Sequence, residues 1–371
     1  MCFWSHRVTL LTGQAGYADV FERALYNGML SGVSRGGRRF FYVNPLASDG
    51  DHHRSPWFRV ACCPGNVTRF LASLGQYMYA VSAQGDKVYV TQYARNRTSV
   101  CAAGQEVTLV QETNYPWEGE VQVTVRPEAA AEFGLCLRIP DWARGRLDST
   151  DLYSFVEPGG PSVGVSVNGE PMTDESTWDG WLRIDRRWES GDTVTLRLPM
   201  TVRRVKATDR VAADRGRVAL MRGPVVFCLE DVDHDADVRN IVLPRDAELN
   251  AQFDSDLLGG VVTITGKGRA HELVVDDEGK MVKRRRSVGV KAVPYYLWDN
   301  REPGAMTVWI PERVETLYGG YPTVALLAEP SCSHGHSSDA PQALNDGRLP
   351  ENSLGRTIPR FTWWPHRGTE E

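Results

Sequence analysis

The chain has 371 residues, enough for two or three domains that each bury an apolar core. Its 42 basic and 47 acidic residues give a formal net charge of −5, which argues against nucleic acid or an anionic membrane as a partner. The best apolar run, residues 218–229, is interrupted by Arg222. It falls short of the roughly 18 apolar residues that a membrane-spanning helix needs.

The N-terminal residues and the cysteines bear on the cellular compartment. Residues 1–7 (MCFWSHR) lack the basic start and long apolar stretch of a signal peptide. The seven cysteines are too scattered for a disulfide framework, at positions 2, 62, 63, 101, 136, 228 and 332. We therefore expect a reducing, cytoplasmic environment, with an export signal ahead of Met1 as the alternative.

The first part of the chain has a helical pattern. Apolar residues at three- and four-residue spacing predict two helices within residues 1–33, the first ended by Gly13. Residues 39–43 (RFFYV) have strand-like side chains, and a polar loop with two adjacent histidines covers residues 44–55. A third helix is predicted over residues 66–81.

From residue 87 onward the apolar pattern changes from helical to alternating. Seven short alternating segments lie between residues 88 and 198, separated by Gly-Asp and Asn-Gly turn sequences. This pattern predicts an antiparallel β-sandwich. A second β-rich stretch covers residues 218–310, and the basic run KRRR at 283–286 is interpreted as a solvated loop or turn.

The adjacent cysteines Cys62 and Cys63 are the strongest chemical feature. They lie in the sequence ACCPGN at residues 61–66, just before the predicted third helix, with Asn66 or Thr68 as its N-cap. The positive end of the helix dipole and free backbone N–H groups favour thiolate, the form that binds metal and attacks electrophiles. The residues alone leave three alternatives open: a metal or catalytic pair, an inert buried pair, or a strained vicinal disulfide.

Longer sequence segments carry a family resemblance. They are YNGMLSGV at 26–33, RFFYVNPL at 39–46, WFRVACCPGN at 57–66, LGQYMY at 74–79, GRVALMRGPV at 216–225 and VPYYLWDN at 293–300. In this order they resemble the β-L-arabinofuranosidase family, glycoside hydrolase family 127, and its close relatives. The resemblance covers nearly the whole chain.

The resemblance implies a fold of mixed α and β class, mainly β. A C-terminal remnant of an (α/α)6 barrel would be followed by antiparallel β-sandwich domains. Residues 331–371 would be a linker and the truncated start of a galactose-binding-like domain. The predicted domains are residues 1–83 for the barrel part, 84–207 for the β-sandwich, 208–330 for a second β-rich domain and 331–371 for the last segment.

The resemblance also implies a chemistry. Cys62 matches the family's nucleophile, which attacks the anomeric carbon, and is a zinc ligand as well. Cys63 matches a second zinc ligand, and Tyr42 matches an aromatic residue beside the sugar. The implied cofactor is zinc, the partner a carbohydrate substrate, and two successive inversions would retain the anomeric configuration. Neither a nucleic acid nor a membrane partner is expected, and the oligomeric state is left open.

This sequence departs from the family pattern in one respect. The family's Glu-x-Cys zinc ligands and its acid/base Glu lie before the segment that matches Phe3 and Trp4, and Cys2 is too close to Trp4 to be the missing cysteine. We therefore expect the chain to be an internal fragment or remnant that hydrolyses little by itself. A relative with another sugar specificity and a non-catalytic carbohydrate-binding or structural β-module are the alternatives.

The other candidate residues have a purely structural interpretation as well as a functional one. Tyr42 is equally compatible with a half-buried strand residue, and Trp57 with packing rather than sugar binding. His52 and His53 would be surrogate metal ligands or plain surface residues. Glu22 is interpreted as a solvated or salt-bridged residue of an amphipathic helix. Three cysteines in strand patterns are interpreted as small core residues: Cys101, Cys136 and Cys228.

Overall fold

The computed structural model describes residues 1–147, 150–157, 159, 162–172, 177–275, 277 and 281–317. In these ranges the α-helices are α1 (Cys2–Thr12), α2 (Ala15–Ala24) and α3 (Cys62–Ala72). Gly13 ends α1 as predicted, with a φ of 71° and its N–H donating to the Thr9 carbonyl. None of the helices in the described ranges has the length and apolar character that crossing a bilayer requires.

Helix α3 differs from the predicted third helix at both ends. It begins at Cys62, and neither predicted cap residue caps it: the Asn66 amide donates to the Cys62 carbonyl (2.8 Å), and the Thr68 hydroxyl donates to the Pro64 carbonyl (2.9 Å). The helix ends at Ala72, and Tyr79–Val81 is a strand paired with Lys87–Val90. Pairing with a distant strand therefore overrides the local helical spacing.

The predicted strand at residues 39–43 does not form. Phe40 makes only isolated bridges with Val33 and Ser55. Phe41 is buried, and its ring stacks on Trp298 with the ring centroids 4.9 Å apart. This aromatic contact and isolated backbone hydrogen bonds to Gly32, Ser34 and Ser55 thus hold the segment without a regular strand.

The strands fill most of the remaining described chain. In order they are β1 Ala47–Ser48, β2 Tyr79–Val81, β3 Lys87–Val90, β4 Asn96–Ala102, β5 Gln105–Thr113, β6 Glu120–Pro127, β7 Ala131–Arg138, β8 Tyr153–Phe155, β9 Gly164–Val167, β10 Glu170–Pro171, β11 Thr177–Trp178, β12 Trp181–Trp188, β13 Asp192–Arg197, β14 Val202–Ala207, β15 Arg217–Arg222, β16 Val225–Glu230, β17 Ile241–Val242, β18 Asn250–Asp254, β19 Val261–Val275, β20 Met281–Pro294, β21 Met306–Thr307 and β22 Ile310–Pro311.

Two sheets form the predicted sandwich. One has the strand order β10-β9-β13-β6-β5-β4 and the other β11-β12-β7-β3-β2. Their inward residues, among them Val107, Val123 and Leu196 of the first and Leu135 and Leu137 of the second, share one apolar core. The alternating pattern in the sequence reports this one-sided burial. The β3–β7 pair is parallel, so the prediction of a wholly antiparallel sandwich is wrong at this point.

A larger sheet follows, with the order β17-β19-β20-β16-β15-β14-β8 and further strands at its margins. Its longest element is the hairpin of β19 and β20, whose ladder runs from the pair Ile264–Ala292 to the pair Val275–Met281. The basic run at 283–286 lies inside β20, so its interpretation as a loop or turn is wrong. Arg284 and Arg286 pair there with Glu272 across the hairpin, which explains how a strand carries this charge.

The N-terminal part of the chain contacts both β parts, the sandwich through the Asp19–Arg138 ion pair and the large sheet through Asn27. The Asn27 amide N–H donates to the Pro224 carbonyl and its oxygen accepts from the Val226 N–H, both at 2.8 Å. Strand β1 pairs with β21, so the chain just before α3 is joined to the large sheet. The (α/α)6 barrel remnant and the domain limits stay predictions. Residues 331–371, with the predicted linker and galactose-binding-like segment, lie outside the described residues.

Candidate active site

The two adjacent cysteines are the first two residues of α3. Their sulfur atoms lie 3.7 Å apart, Cys62 is exposed and Cys63 is half-buried. The N-cap residue, Ala61, makes no side-chain cap hydrogen bond. Backbone N–H groups of the first turn are therefore not occupied by a capping side chain, and they lie beside the thiols.

The sulfur separation fits shared metal coordination. Two thiolates bound to one Zn²⁺ at about 2.3 Å in tetrahedral geometry have sulfurs roughly 3.8 Å apart. The observed 3.7 Å is also far beyond the roughly 2.05 Å of a disulfide bond. Among the described residues, no group of three or more His, Cys, Asp or Glu side chains is placed to hold a metal ion. The pair therefore fits half of a tetrahedral site.

Ionisation of the Cys63 thiol is disfavoured. Burial, then the hydrogen bond with Cys62 and the charge on Cys62, raise the pKa of Cys63 above its ordinary value. Two neighbouring thiolates repel each other, and the helix dipole does not remove that repulsion. A cation held between the two sulfurs would remove it, because it attracts both negative charges at once.

An aromatic cluster holds α3 against the N-terminal helices. Phe70 of α3 lies 5.5 Å from Phe21 of α2 and 5.4 Å from both Phe3 of α1 and Tyr77, measured between ring centroids. The Arg69 guanidinium lies 4.7 Å over the Phe3 ring. Phe21 and Phe70 are buried, so the orientation of the cysteine-bearing turn depends on this packing.

Tyr42 is exposed, and its ring contacts Phe58 edge-on with centroids 5.6 Å apart. The structural alternative for Tyr42, a half-buried residue of a strand, is therefore wrong. Trp57 is 63% exposed and is not packed into a core. Other large apolar side chains that are exposed in the same stretch are Val43, Leu46 and Val60. This exposed apolar segment leads directly to Cys62 along the chain.

The two loop histidines have structural partners instead of a place beside the cysteines. The His52 ring stacks on Phe41 with centroids 4.9 Å apart, and its Nε2 lies 3.0 Å from the Val43 carbonyl. His53 Nδ1 lies 2.7 Å from an Asp299 carboxylate oxygen. These contacts explain both side chains without a surrogate metal role, and they fix the loop that carries Tyr42.

Arg54 anchors the same loop from beneath. Its guanidinium is buried, donates to the carbonyls of Trp298 and Ser31, and lies 4.2 Å over the Phe41 ring. Burial lowers the pKa of Arg54 to about 10, so the side chain stays charged at neutral pH. Arg54 therefore ties the loop that carries the exposed apolar segment to the turn that follows β20.

A buried ionic network was missed by sequence reasoning. Arg138 of β7 is fully buried and pairs with Glu22 and Asp19 of α2, each at 2.6 Å. Glu22 also accepts from the Tyr115 hydroxyl (2.6 Å) and the Trp142 indole N–H (3.2 Å). Of the two interpretations predicted for Glu22, the salt-bridged one is thus confirmed and the solvated one is wrong. The signal was present, since both acids lie among the apolar positions of α2.

The remaining cysteines in the described part of the chain are either buried or exposed. Cys136 and Cys228 are buried, as predicted, and burial raises the pKa of both thiols. Cys101 is exposed, so its interpretation as a core residue is wrong: β4 is an edge strand, and its outward residues face solvent. Cys2 is buried, and its thiol lies 3.9 Å from the Phe21 carbonyl.

Sequence profiles of three domains of one family match successive parts of the chain. Residues 1–76 match the β-L-arabinofuranosidase GH127 catalytic domain, residues 87–200 the GH127 middle domain, and residues 202–311 the glycoside hydrolase family 127 C-terminal domain. The chain belongs to glycoside hydrolase family 127. Members of this family are glycoside hydrolases, and the cysteine pair of this family-127 chain lies in the part that matches the catalytic domain.

Individual relatives agree with the profiles. A curated non-reducing end β-L-arabinofuranosidase from Bifidobacterium longum subsp. longum is 35% identical, over 83% of this chain and 47% of the relative. A solved structure of a GH127 β-arabinofuranosidase superposes with a TM-score of 0.80 and 41% identity, over 85% of this chain and 49% of that one.

A second solved structure, a GH127 β-L-arabinofuranosidase from Geobacillus stearothermophilus T6, has a TM-score of 0.75 and 40% identity. This superposition covers 84% of the family-127 chain and 48% of that structure. The family-127 chain thus spans about half the length of the relatives it matches. The mainly β fold with its N-terminal helices is shared with these structures.

Proposed function

We propose that this chain carries the cysteine-bearing part of a β-L-arabinofuranosidase active site, which acts on arabinose-containing glycans with retention of configuration. The observation that carries the proposal is the 3.7 Å separation of the Cys62 and Cys63 sulfurs at the exposed start of α3. Family membership supports the reaction class, and the curated and solved relatives support the sugar.

In the proposed reaction, Cys62 is the nucleophile. Its thiolate forms a C–S bond to the anomeric carbon while the bond from that carbon to the leaving-group oxygen breaks, and the oxygen takes up a proton. Water then displaces the sulfur at the same carbon, so two inversions retain the configuration. The exposed position of Cys62 supports this role, since an incoming sugar reaches its sulfur directly.

Cys62 and Cys63 would hold a zinc ion together. When bound, zinc would supply the positive charge that keeps both thiols ionised at neutral pH. The raised pKa of Cys63 supports the need for such a charge. Further ligands would come from outside the described residues, and so would the acid/base carboxyl group. We therefore expect slow turnover by this chain alone.

Tyr42 is proposed to contact the sugar. It is exposed, lies in the segment that leads to Cys62, and contacts Phe58 edge-on. Its ring offers an apolar face and its hydroxyl a hydrogen bond to a sugar oxygen.

An activated substrate tests the nucleophile separately from the acid. 2,4-Dinitrophenyl β-L-arabinofuranoside has a leaving group that needs no protonation, so its release reports nucleophilic attack. We expect phenolate release and a mass gain of one anhydropentose on the peptide that contains Cys62. Cys62→Ser should abolish both signals, and Cys101→Ser, an exposed cysteine on β4, should change neither.

Metal binding is tested by thiolate-to-metal charge-transfer absorption on titration with Co²⁺ or Cd²⁺. We expect a signal that Cys62→Ser and Cys63→Ser each abolish and that Cys101→Ser retains. A mass adduct on Cys62 without this absorption signal would refute the zinc assignment but support Cys62 as the nucleophile. If the protein is folded and no adduct forms, Cys62 is not the nucleophile.

A further inference from the structure

The large sheet carries a groove remote in sequence from the cysteines. It has a volume of about 820 Å³, within the usual range for small-molecule sites. One wall is the hairpin of β19 and β20, and the other is the connection between β17 and β18. The Arg204 guanidinium donates to the Ala247 carbonyl (3.0 Å) in this connection, which holds the second wall in place.

The two walls meet closely at a glycine of β19. A Cβ atom at Gly266 would lie 2.8 Å from the Leu249 side chain and 2.9 Å from the Glu248 carbonyl oxygen. Only a residue without a side chain lets the connection pack this near to the strand. The connection is therefore held close against β19 at this edge of the groove.

Cations line the hairpin side of the groove. Lys267 and Arg269 of β19 and Arg285 of β20 are exposed and, by strand alternation and register, share one face. Their cross-strand partners are Gly289, Ser287 and His271. None of the three cations forms an ion pair with an acid in the described part of the chain.

The clustering of these charges costs stability. Arg269 and Arg285 are diagonal neighbours across the ladder, a spacing of roughly 7–8 Å at which long side chains interact. Burial, and after it the charges of Arg285 and Arg269, lower the pKa of His271, which lies opposite Arg285 in the ladder. By contrast, Arg284 pairs with Glu272, and Arg286, which also lines the groove, pairs with Glu272 and Asp235. An anion in the groove would relieve the repulsion that remains among Lys267, Arg269 and Arg285.

The other wall suits sugar hydroxyl groups. Asp246 and Glu248 line it, with Asn250 nearby as a neutral donor and acceptor. Carboxylate and amide oxygens accept hydrogen bonds from sugar hydroxyl groups.

We propose that this groove binds a carboxylate-bearing oligosaccharide, with Lys267, Arg269 and Arg285 contacting the acidic groups and Asp246 and Glu248 the hydroxyls. The site is separate from the proposed catalytic cysteines and would hold an acidic region of a glycan on the protein. Guanidinium groups are suited to it, since they bind carboxylates with two parallel hydrogen bonds.

The test is calorimetric titration of the 371-residue chain with trigalacturonate, its fully methyl-esterified form and inorganic phosphate. We expect trigalacturonate to bind with an affinity that falls as salt rises, and the ester to bind at least tenfold more weakly. The double variant R269Q/R285Q should lose at least tenfold in affinity for trigalacturonate. The control R97Q/R126Q, which removes two exposed arginines from β4 and β6, should lose none.

Three results would overturn the proposal. One is unchanged trigalacturonate binding by R269Q/R285Q with its melting curve intact. Another is equal binding of the ester, which would remove the role of charge. The third is binding of phosphate as tight as that of trigalacturonate, which would show an anion site without recognition of sugar.

Discussion

The Arg138 guanidinium and the Glu22 carboxylate lie 2.6 Å apart with side-chain exposures of 0% and 2%. Arg138 belongs to the β-sandwich and Glu22 to α2, so this pair joins the N-terminal helices to the sandwich from within the protein. The hydrogen bonds from Tyr115 and Trp142 complete the carboxylate's partners. A buried charge pair is tolerated when its remaining hydrogen-bonding groups are satisfied in this way.

Removing Arg138 should destabilise the chain strongly. Arg138→Met leaves Glu22 and Asp19 as buried carboxylates without their main cation, and we expect a loss of about 3–5 kcal/mol in the free energy of unfolding. Urea denaturation measures this loss. The control is Arg197→Met, which breaks the exposed Arg197–Glu120 pair (3.0 Å) and should cost about 0–1 kcal/mol. Equal losses in the two variants would contradict the role of burial.

Stability should fall as pH rises toward neutrality because of Asp141. Burial and the nearby Asp19 carboxylate, against the attraction of Arg23, raise the pKa of Asp141 to about 7. Since the unfolded value is about 3.9, the folded state holds this proton more tightly than the unfolded chain. The folded state therefore loses stability between about pH 4 and pH 7, as the carboxyl group ionises, and loses no more from this group above that range.

Asp141→Asn removes this ionisation. The melting temperature of the variant relative to the unchanged protein should be higher at pH 8 than at pH 5, as measured by circular dichroism at several pH values. Asp209→Asn, at a carboxylate that is 96% exposed, should show no such trend. A difference between Asp141→Asn and the unchanged protein that stays constant from pH 5 to pH 8 would refute the assignment.

Gly119 should resist substitution. A Cβ atom there would lie 1.9 Å from the Leu198 carbonyl oxygen, a backbone atom that cannot rotate away. Gly119→Ala should therefore lower the melting temperature markedly, or prevent folding. Gly164→Ala on β9 meets nothing nearer than 3.8 Å and serves as the matched control. Similar melting temperatures for both variants would show that the close approach is wrong.

The cysteine pair should bridge a trivalent arsenical reagent. Phenylarsine oxide binds two thiols at once, and sulfurs 3.7 Å apart meet that requirement without rearrangement. We expect one equivalent bound under native conditions, detected by intact mass, and none in Cys63→Ser. The buried thiols of Cys136 and Cys228 should react with monofunctional reagents only after unfolding. Native labelling of those two at the rate of Cys62 would contradict the described packing.

Sequence patterns predicted the β architecture because each signal was local and one-sided. The alternation in segments such as 121–125 reports a strand with one buried face, and the segment is β6. Gly13 likewise ended α1 where its positive φ requires a residue without a side chain. In contrast, the end of α3 depended on the pairing of β2 with β3, which local spacing does not encode.

The candidate site was likewise predictable only in part: the sequence identified the two thiols but not the contacts that hold the neighbouring loop. The Cys62–Cys63 motif identified the thiols, and their sulfur separation follows from adjacency at a helix start. The family resemblance supplied their proposed roles. The partners of His53 and Arg54 were not predictable, since both residues contact Asp299 or Trp298, more than 240 positions away.

The short pairing of β1 with β21 has a consequence for how such proteins diversify. It joins residues 47–48 to residues 306–307, and the Arg138 network ties the same N-terminal part to the middle of the chain. A recombination event that exchanged one of the three family domains would separate partners that lie in different domains. The cysteine-bearing part therefore depends on both β parts. A domain exchange should give a folded protein only when the residues that contact each other across the domains are exchanged together.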